Sequence, residues 1–231
     1  KVLTISALAG SPKVSEAGDY IFRTRPSDIS ASQALNLYIT HKHRSVGVLV
    51  EQTDYALGML DAFVSAGVPN DFVIYREEFA SGTTDLKPTL IRIRSHRPDS
   101  LLILPQSEQS LAIAVKQLCE LGWKSSIYSN WGAESPTFLQ LAGEASEDIT
   151  YSTLPDALET GTLDHKALYN KFLEKYGPLK SVYAGFECGF NSFAALMAVA
   201  DSSDDPKRVL YSTRIPGFAG DFTFDHKGDI V

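Results

Sequence analysis

Aromatic and amide side chains, rather than nucleophiles or metal ligands, carry the chemistry that this sequence offers. Tyr55, Gln106, Ser107, Asn130 and Trp131 are flat rings and hydrogen-bonding groups of the kind that grip a small molecule without reacting with it. The competing reading is that Tyr55 and Trp131 only roof a hydrophobic core. Signatures of catalysis are missing: the chain has no G-x-x-x-x-G-K-[ST], no strand-following G-x-G-x-x-G, no G-x-S-x-G and no H-E-x-x-H. Glu51, Asp54, Glu108 and Asp156 could form an acid/base pair, but they read better as helix caps and first-turn charges. His41 and His43 are two apart and cannot share a helix face. His96, His165 and His226 fall at a helix end, in a first turn and in a hairpin turn. No metal or cofactor site is expected.

Five short apolar runs place these residues. They are Val46–Val50, Phe72–Tyr75, Leu101–Leu104, Ser126–Tyr128 and Ile149–Tyr151, with helical patterns between them. Their starts lie about 23 to 29 residues apart, as βαβ units require. Runs that are apolar without alternation fit parallel strands covered by helices on both faces. Ligands of such sheets bind beyond the carboxyl ends of the strands. Tyr55, Gln106, Ser107 and Trp131 each follow such an end.

Elsewhere Val2–Ser6 and Tyr20–Arg23 read as short strands, and Ser30 or Ser32 as the cap of a helix burying Ala34, Leu35, Leu37, Tyr38 and Ile39. Asp54 is expected to cap a helix from Tyr55 to Ala66. The next helix is expected to turn Leu86, Leu90, Ile91 and Ile93 inward, with Pro88 tolerated in its first turn. Gly122 fits a C′ position. Asp164 is expected to cap a helix reaching Tyr176, followed by a helix from Val182 to about Ala200 and a hairpin over Gly217–Val231. Prolines near Pro26 to Asp28 and near Pro155 mark crossings between lobes.

At 231 residues, with 44% apolar and 21% charged residues, the chain has an ordinary globular composition with room for one α/β domain or two lobes. A net charge of −7 argues against a nucleic-acid partner. The cluster Arg92, Arg94, His96 and Arg97 is explained by a helix C-terminus, where cations favour the dipole. No apolar run approaches the roughly 20 residues that span a bilayer. The chain starts at Lys1 without a methionine or signal-peptide pattern, so it reads as a processed or truncated product. Cys119 and Cys188 read as small buried thiols.

The order of segments resembles type I periplasmic solute-binding proteins, in particular the leucine/isoleucine/valine-binding branch that serves ABC importers. The matching residues are Ile5 and Ser6 with Ser11 and Pro12, Phe22–Thr24 with Asp28, and Thr53–Tyr55 with Gly58. Thr84–Leu86, Arg97–Asp99, Leu121 with Gly122, Leu141–Gly143 and Phe224 with Asp225, Gly228 and Asp229 continue the match. The resemblance implies an α/β, type I periplasmic-binding-protein fold: two Rossmann-like lobes with parallel sheets, one of them incomplete, closing on ligand like a hinge. Residues 29–155 would form the complete ligand-binding lobe, and 1–28 plus 156–214 a partial second lobe. Residues 215–231 would form a C-terminal hairpin returning to the first lobe. A lobe without its opening βαβ units should be marginally stable or covered by a partner surface.

Carried over residue by residue, the family's pocket falls on Leu8, Ala9 and Gly10, Tyr55, Gln106 or Ser107, Trp131 and Phe186. Leu8–Gly10 stand where small residues and a threonine usually meet the ligand carboxylate, so backbone N–H groups would have to serve. Trp131 stands where amino-acid binders place an acid for the ammonium, and Phe186 where they place a tyrosine. The implied function is a non-enzymatic, periplasmic or extracellular solute-binding protein with a small-molecule ligand and the membrane permease of an ABC importer as partners. It would not insert into the membrane itself. The ligand is expected to be aromatic or carboxylate-bearing rather than a simple aliphatic amino acid. A ligand-sensing module of the same fold is the alternative, and an α/β enzyme is disfavoured.

Overall fold

A computed structural model describes residues 2–154, 163–179 and 183–231. The features expected at Pro155, Asp156 and Val182 lie outside these residues. The chain divides into two compact units, Asp28–Thr153 and Lys1–Ser27 with Leu154–Val231.

The unit Asp28–Thr153 is built on a five-stranded parallel sheet. Its strands are β3 (Val46–Glu51), β4 (Val73–Phe79), β5 (Ser100–Leu104), β6 (Ser126–Ser129) and β7 (Ile149–Tyr151), in the order β4-β3-β5-β6-β7. The two central strands are buried throughout. Val46, Val48 and Val50 with Leu102 and Leu104 share one core with Leu35 and Ile39 of α1 (Asp28–Lys42) and Met59, Leu60 and Phe63 of α2 (Asp54–Ser65). Leu49, Leu101 and Ile103 face a second core. It holds Leu90 and Ile93 of α3 (Lys87–Ser95), Leu111, Val115 and Leu118 of α4 (Glu108–Glu120), and Phe138 of α5 (Pro136–Ala142). Period-2 alternation therefore sends neighbouring residues into opposite cores, and both faces are covered as a parallel sheet demands. Each fully buried Leu or Val contributes about 1.5–3 kcal/mol. Gly47 is required here, since a Cβ would come 2.5 Å from Ile93 Cγ2 and 3.0 Å from Pro98 Cγ.

Packing corrects several expectations. Ala34, Leu37 and Tyr38 of α1 and Ile91 of α3 are exposed, because each helix gives only one stripe to its core. Helix α1 begins at Asp28, ahead of both serines proposed as caps. Helix α2 is capped by Thr53, whose hydroxyl accepts from Ala56 N–H at 3.2 Å, so Asp54 is a first-turn residue. Strand β4 runs on to Phe79 through Arg76, Glu77 and Glu78, polar residues that an edge strand can carry. Cys119 is exposed near the end of α4, whereas Cys188 is buried.

In the other unit β1 (Thr4–Ser6) pairs in parallel with β2 (Ile21–Arg23), with a 3-10 turn over Pro12–Glu16 between them. Its helices include α6 (Leu163–Tyr176), α7 (Tyr183–Ala200) and α8 (Pro206–Ser212). Helix α6 already includes Leu163, so Asp164 lies inside it rather than before it. At the C-terminus β8 (Ile215–Pro216) pairs antiparallel with β9 (Asp221–Phe222), and a turn over Asp225–Gly228 leads to a bridge between Phe224 and Ile230. Phe22, Ala195, Leu210, Ile215, Phe222 and Phe224 form the core of this unit.

An ion pair between a buried guanidinium and a partly exposed carboxylate ties the turn to the strands. Arg23, with a fully buried side chain, donates from Nε to Asp229 Oδ1 at 2.6 Å and from Nη2 to Oδ2 at 2.9 Å. Its Nη1 also donates to the carbonyls of Ala9 and Ser11, and Nη2 to Ser15 Oγ. A guanidinium satisfied this fully is stabilising only while its carboxylate stays ionised. Burial pushes the Asp229 carboxyl up, but hydrogen bonds from Arg23 and Ser15 and the guanidinium charge outweigh it and hold it below the ordinary 3.8.

Two predictions follow from this unit's packing. The stabilisation from Asp229 is present above the unfolded-state pKa and is lost as pH falls through the depressed folded value. Urea unfolding followed from pH 7 to pH 3 should therefore show a steeper acid loss for the parent chain than for Asp229→Asn, which starts weaker. Gly228, at φ 79°, has its carbonyl on Arg23 N–H, and a Cβ there would collide with the Ile21 carbonyl oxygen. Gly228→Ala should cost at least about 1–3 kcal/mol from backbone strain alone, read as a lowered denaturation midpoint.

Candidate ligand-binding site

The strand order reverses between β3 and β5. The first connection leads outward from β3 to the edge strand β4, and the chain then returns to β5 on the other side of β3. Loops leaving β3 and β5 diverge at such a point and open a crevice beyond the carboxyl ends of the strands. The residues there are Glu51–Tyr55 and Pro105–Ser107, with Asn130 and Trp131 beside them after β6.

Short side chains fix how each loop enters its next helix. Thr53 caps α2, which puts Tyr55 in the first turn. Ser107 caps α4, its hydroxyl accepting from Ser110 N–H at 3.2 Å. Asn130, 3% exposed, accepts from Gly132 N–H at 3.1 Å and so caps the 3-10 turn Trp131–Glu134. Its Nδ2 donates to the Pro105 carbonyl at 3.0 Å, joining the loops after β5 and β6. Across this frame the indole Nε1–H of Trp131 donates to Tyr55 Oη at 2.9 Å. Both rings are half-buried, and Gln106 is exposed.

The structure thus brings Tyr55, Gln106, Ser107 and Trp131 around one cavity of about 20 Å3. That is room for about one water, so a solute would lie against the outer faces of the rings rather than inside. With its N–H committed to Tyr55, Trp131 offers a π-face. Ser107 is committed to its cap, which makes it a frame residue. The N-termini of α2 and α4 bring partial positive charge to this edge, offset by Asp54, Glu108 and Glu51.

Glu51 is the residue that sequence reasoning assigned wrongly. It is neither a cap nor a first-turn charge but the last residue of β3, 2% exposed. Its Oε1 accepts from Ser81 Oγ at 2.7 Å and its Oε2 from Gln106 N–H at 2.7 Å. A carboxylate closing an otherwise apolar run was the available signal. Glu108 and Asp54 do lie in first turns.

The remaining expected site residues belong to the other unit. Leu8 is exposed and Gly10 buried in the loop after β1. The N–H of Ala9 donates to Ser6 Oγ at 3.2 Å, so that group is committed within the loop rather than presented to an anion. The Ala9 carbonyl is held by Arg23. Phe186 of α7 packs edge-on against Phe218 at 5.1 Å and lies 4.8 Å from Phe172 and 5.1 Å from Tyr169, within an aromatic cluster.

Comparison with known proteins agrees with the architecture. No curated protein matches the sequence. Among solved structures, a leucine-binding protein, LivK, from Thermotoga maritima superposes with a TM-score of 0.85 at 22% identity, covering 98% of this chain and 67% of that one. The branched-chain amino acid transporter substrate-binding protein LivJ from Streptococcus pneumoniae, in complex with isoleucine, gives 0.80 at 18% identity over 97% and 66%. A solute-binding protein of an ABC transporter from R. palustris, in complex with benzoate, gives 0.78 at 16% over 99% and 65%. The chain thus spans about two thirds of the length of these structures, and the likeness is one of fold. The model of the periplasmic binding protein family matches residues 1–229. This chain therefore belongs to the periplasmic binding protein family.

Proposed function

We propose that this chain is part of a non-enzymatic, extracytoplasmic solute-binding protein that delivers a small molecule to the permease of an ABC importer. The observation that carries the reading is the Trp131–Tyr55 pair at the crevice beyond β3 and β5, with Gln106 alongside. Two half-buried rings and an amide at a strand-order reversal make a gripping surface. Family membership and the transporter proteins among the solved structures support the transport role. Leu8, Gly10 and Phe186 are proposed as further ligand contacts from the family pattern. Ala9 would contribute through neighbouring backbone rather than its own N–H.

The ligand class follows from Trp131. An amino-acid ammonium facing an indole instead of a carboxylate forfeits a charged hydrogen bond of about 1.5–3 kcal/mol. Cation–π contact returns about 0.5–2 kcal/mol, so parity is not reached. An aromatic, carboxylate-bearing solute loses nothing by the exchange and gains ring stacking. The benzoate-bound structure of the same fold is consistent with that class.

Calorimetry on the native protein with benzoate, leucine and isoleucine tests the reading. Benzoate should bind at least tenfold more tightly than either amino acid and be recovered chemically unchanged. Trp131→Ala should weaken it by about tenfold, the equivalent of 1.4 kcal/mol, and Tyr55→Phe by less. Micromolar leucine binding would overturn the ligand class, and turnover of bound solute the non-enzymatic role.

A further inference from the structure

Glu51 is a costly residue to place where it is. A carboxylate 2% exposed at the end of a fully buried strand loses most of its hydration, and its oxygens are met by a neutral hydroxyl and a backbone N–H. Burial of a charge is tolerated only when hydrogen bonds and local dipoles replace that water. The two bonds here are both 2.7 Å, in the charge-assisted range, and the N-terminal ends of α2 and α4 point their dipoles at this edge. Glutamine would fill the same volume without the desolvation.

The donors show what the carboxylate does. Neither belongs to a strand. Ser81 lies in the loop leaving β4, and Gln106 N–H in the loop leaving β5. The Pro105–Gln106 peptide is held at both ends, its N–H by Glu51 and its carbonyl by Asn130 Nδ2. A planar peptide fixed at both poles cannot rotate. From there Asn130 Oδ1 holds Gly132 N–H, and the adjoining Trp131 donates to Tyr55. On the other side the Glu51 carbonyl accepts from Thr53 N–H at 2.7 Å, and Thr53 caps the helix that carries Tyr55. Glu51 is therefore the point where a closed circuit of hydrogen bonds through both gripping rings is anchored to the sheet.

We propose that Glu51 is a positioning residue of the binding edge: it sets the Pro105–Gln106 peptide and, through Asn130, the placement of Trp131 against Tyr55, without touching the solute. This rests on the reading of that edge as the ligand-binding surface. The tether needs acceptor geometry rather than charge. In Glu51→Gln the Oε1 can still accept from Gln106 N–H, while the Ser81 hydroxyl turns to accept from Nε2. Glu51→Ala removes both contacts.

The test uses three readouts on the parent chain, Glu51→Ala and Glu51→Gln: amide hydrogen exchange of Gln106 against Val48 and Leu102, tryptophan emission, and benzoate affinity. The inference expects Glu51→Ala to speed Gln106 exchange at least tenfold while Val48 and Leu102 stay protected, to shift the emission, and to weaken benzoate at least tenfold. Glu51→Gln should stay within about threefold of the parent on affinity and exchange. Uniform loss of protection in Glu51→Ala would overturn the inference in favour of a purely structural role, as would unchanged affinity with faster Gln106 exchange. Loss of binding in Glu51→Gln with Gln106 still protected would also overturn it, since the charge itself would then serve the solute. A parent chain that binds no benzoate would sink the ligand class instead. Exchange and emission, which need no ligand, then decide the tether alone.

Discussion

Two strands without an exposed face govern the Asp28–Thr153 unit. Residues of β3 and β5 alternate between two separate cores, so neither strand has a side on which a polar side chain could reach water. Helices must cover both faces, and the βαβ connections that supply them set the spacing of the whole segment. Polar chemistry is driven to the strand ends. At the carboxyl ends, the loops must also turn into helices whose first N–H groups need acceptors. Thr53, Ser107 and Asn130 meet that need in the loops after β3, β5 and β6. The residues beside them are thereby held in defined positions, which is what a gripping surface requires.

The same constraint explains how much could be read in advance. Central strands were legible because runs such as Leu101–Leu104 are apolar without a break. Strand β4 was read short, as Phe72–Tyr75, because Arg76–Glu78 break the apolar run; an edge strand tolerates that, and only the sheet order shows it to be an edge. Thr53 and Asp54 are adjacent and both good caps, and the backbone chose the former. Ile91 sits next to Leu90 in sequence, but the stripe facing the core has room for Leu90 and Ile93 alone. These misses share a cause. Local pattern gives the kind of element, whereas its rotation and ends are decided by packing that no short window contains.

Tyr55, Gln106, Ser107 and Trp131 were legible as a group because each follows a strand end, and strand ends of a parallel sheet lie along one edge. Their division of labour was not. Ser107 turned out to be frame, and the indole N–H of Trp131 is spent on Tyr55. Glu51 was missed because its partners are 30 and 55 residues away in sequence. The one local signal, a carboxylate closing an apolar run, does not say which loops it tethers.

The placement of charge in the two units bears on what the protein could hold. Each unit keeps a carboxylate engaged internally, the buried Glu51 on two loops and the partly exposed Asp229 on the buried Arg23. Both are fastened by short hydrogen bonds, so redirecting either toward a ligand ammonium would break contacts that hold its own loops together. Breaking one such bond leaves a buried donor unsatisfied at about 1–3 kcal/mol. A solute that brings a ring for Trp131 and Tyr55 meets no such demand. Trp131 and Tyr55 thus stand at an edge where the carboxylate that ends β3 is already committed to its own loops.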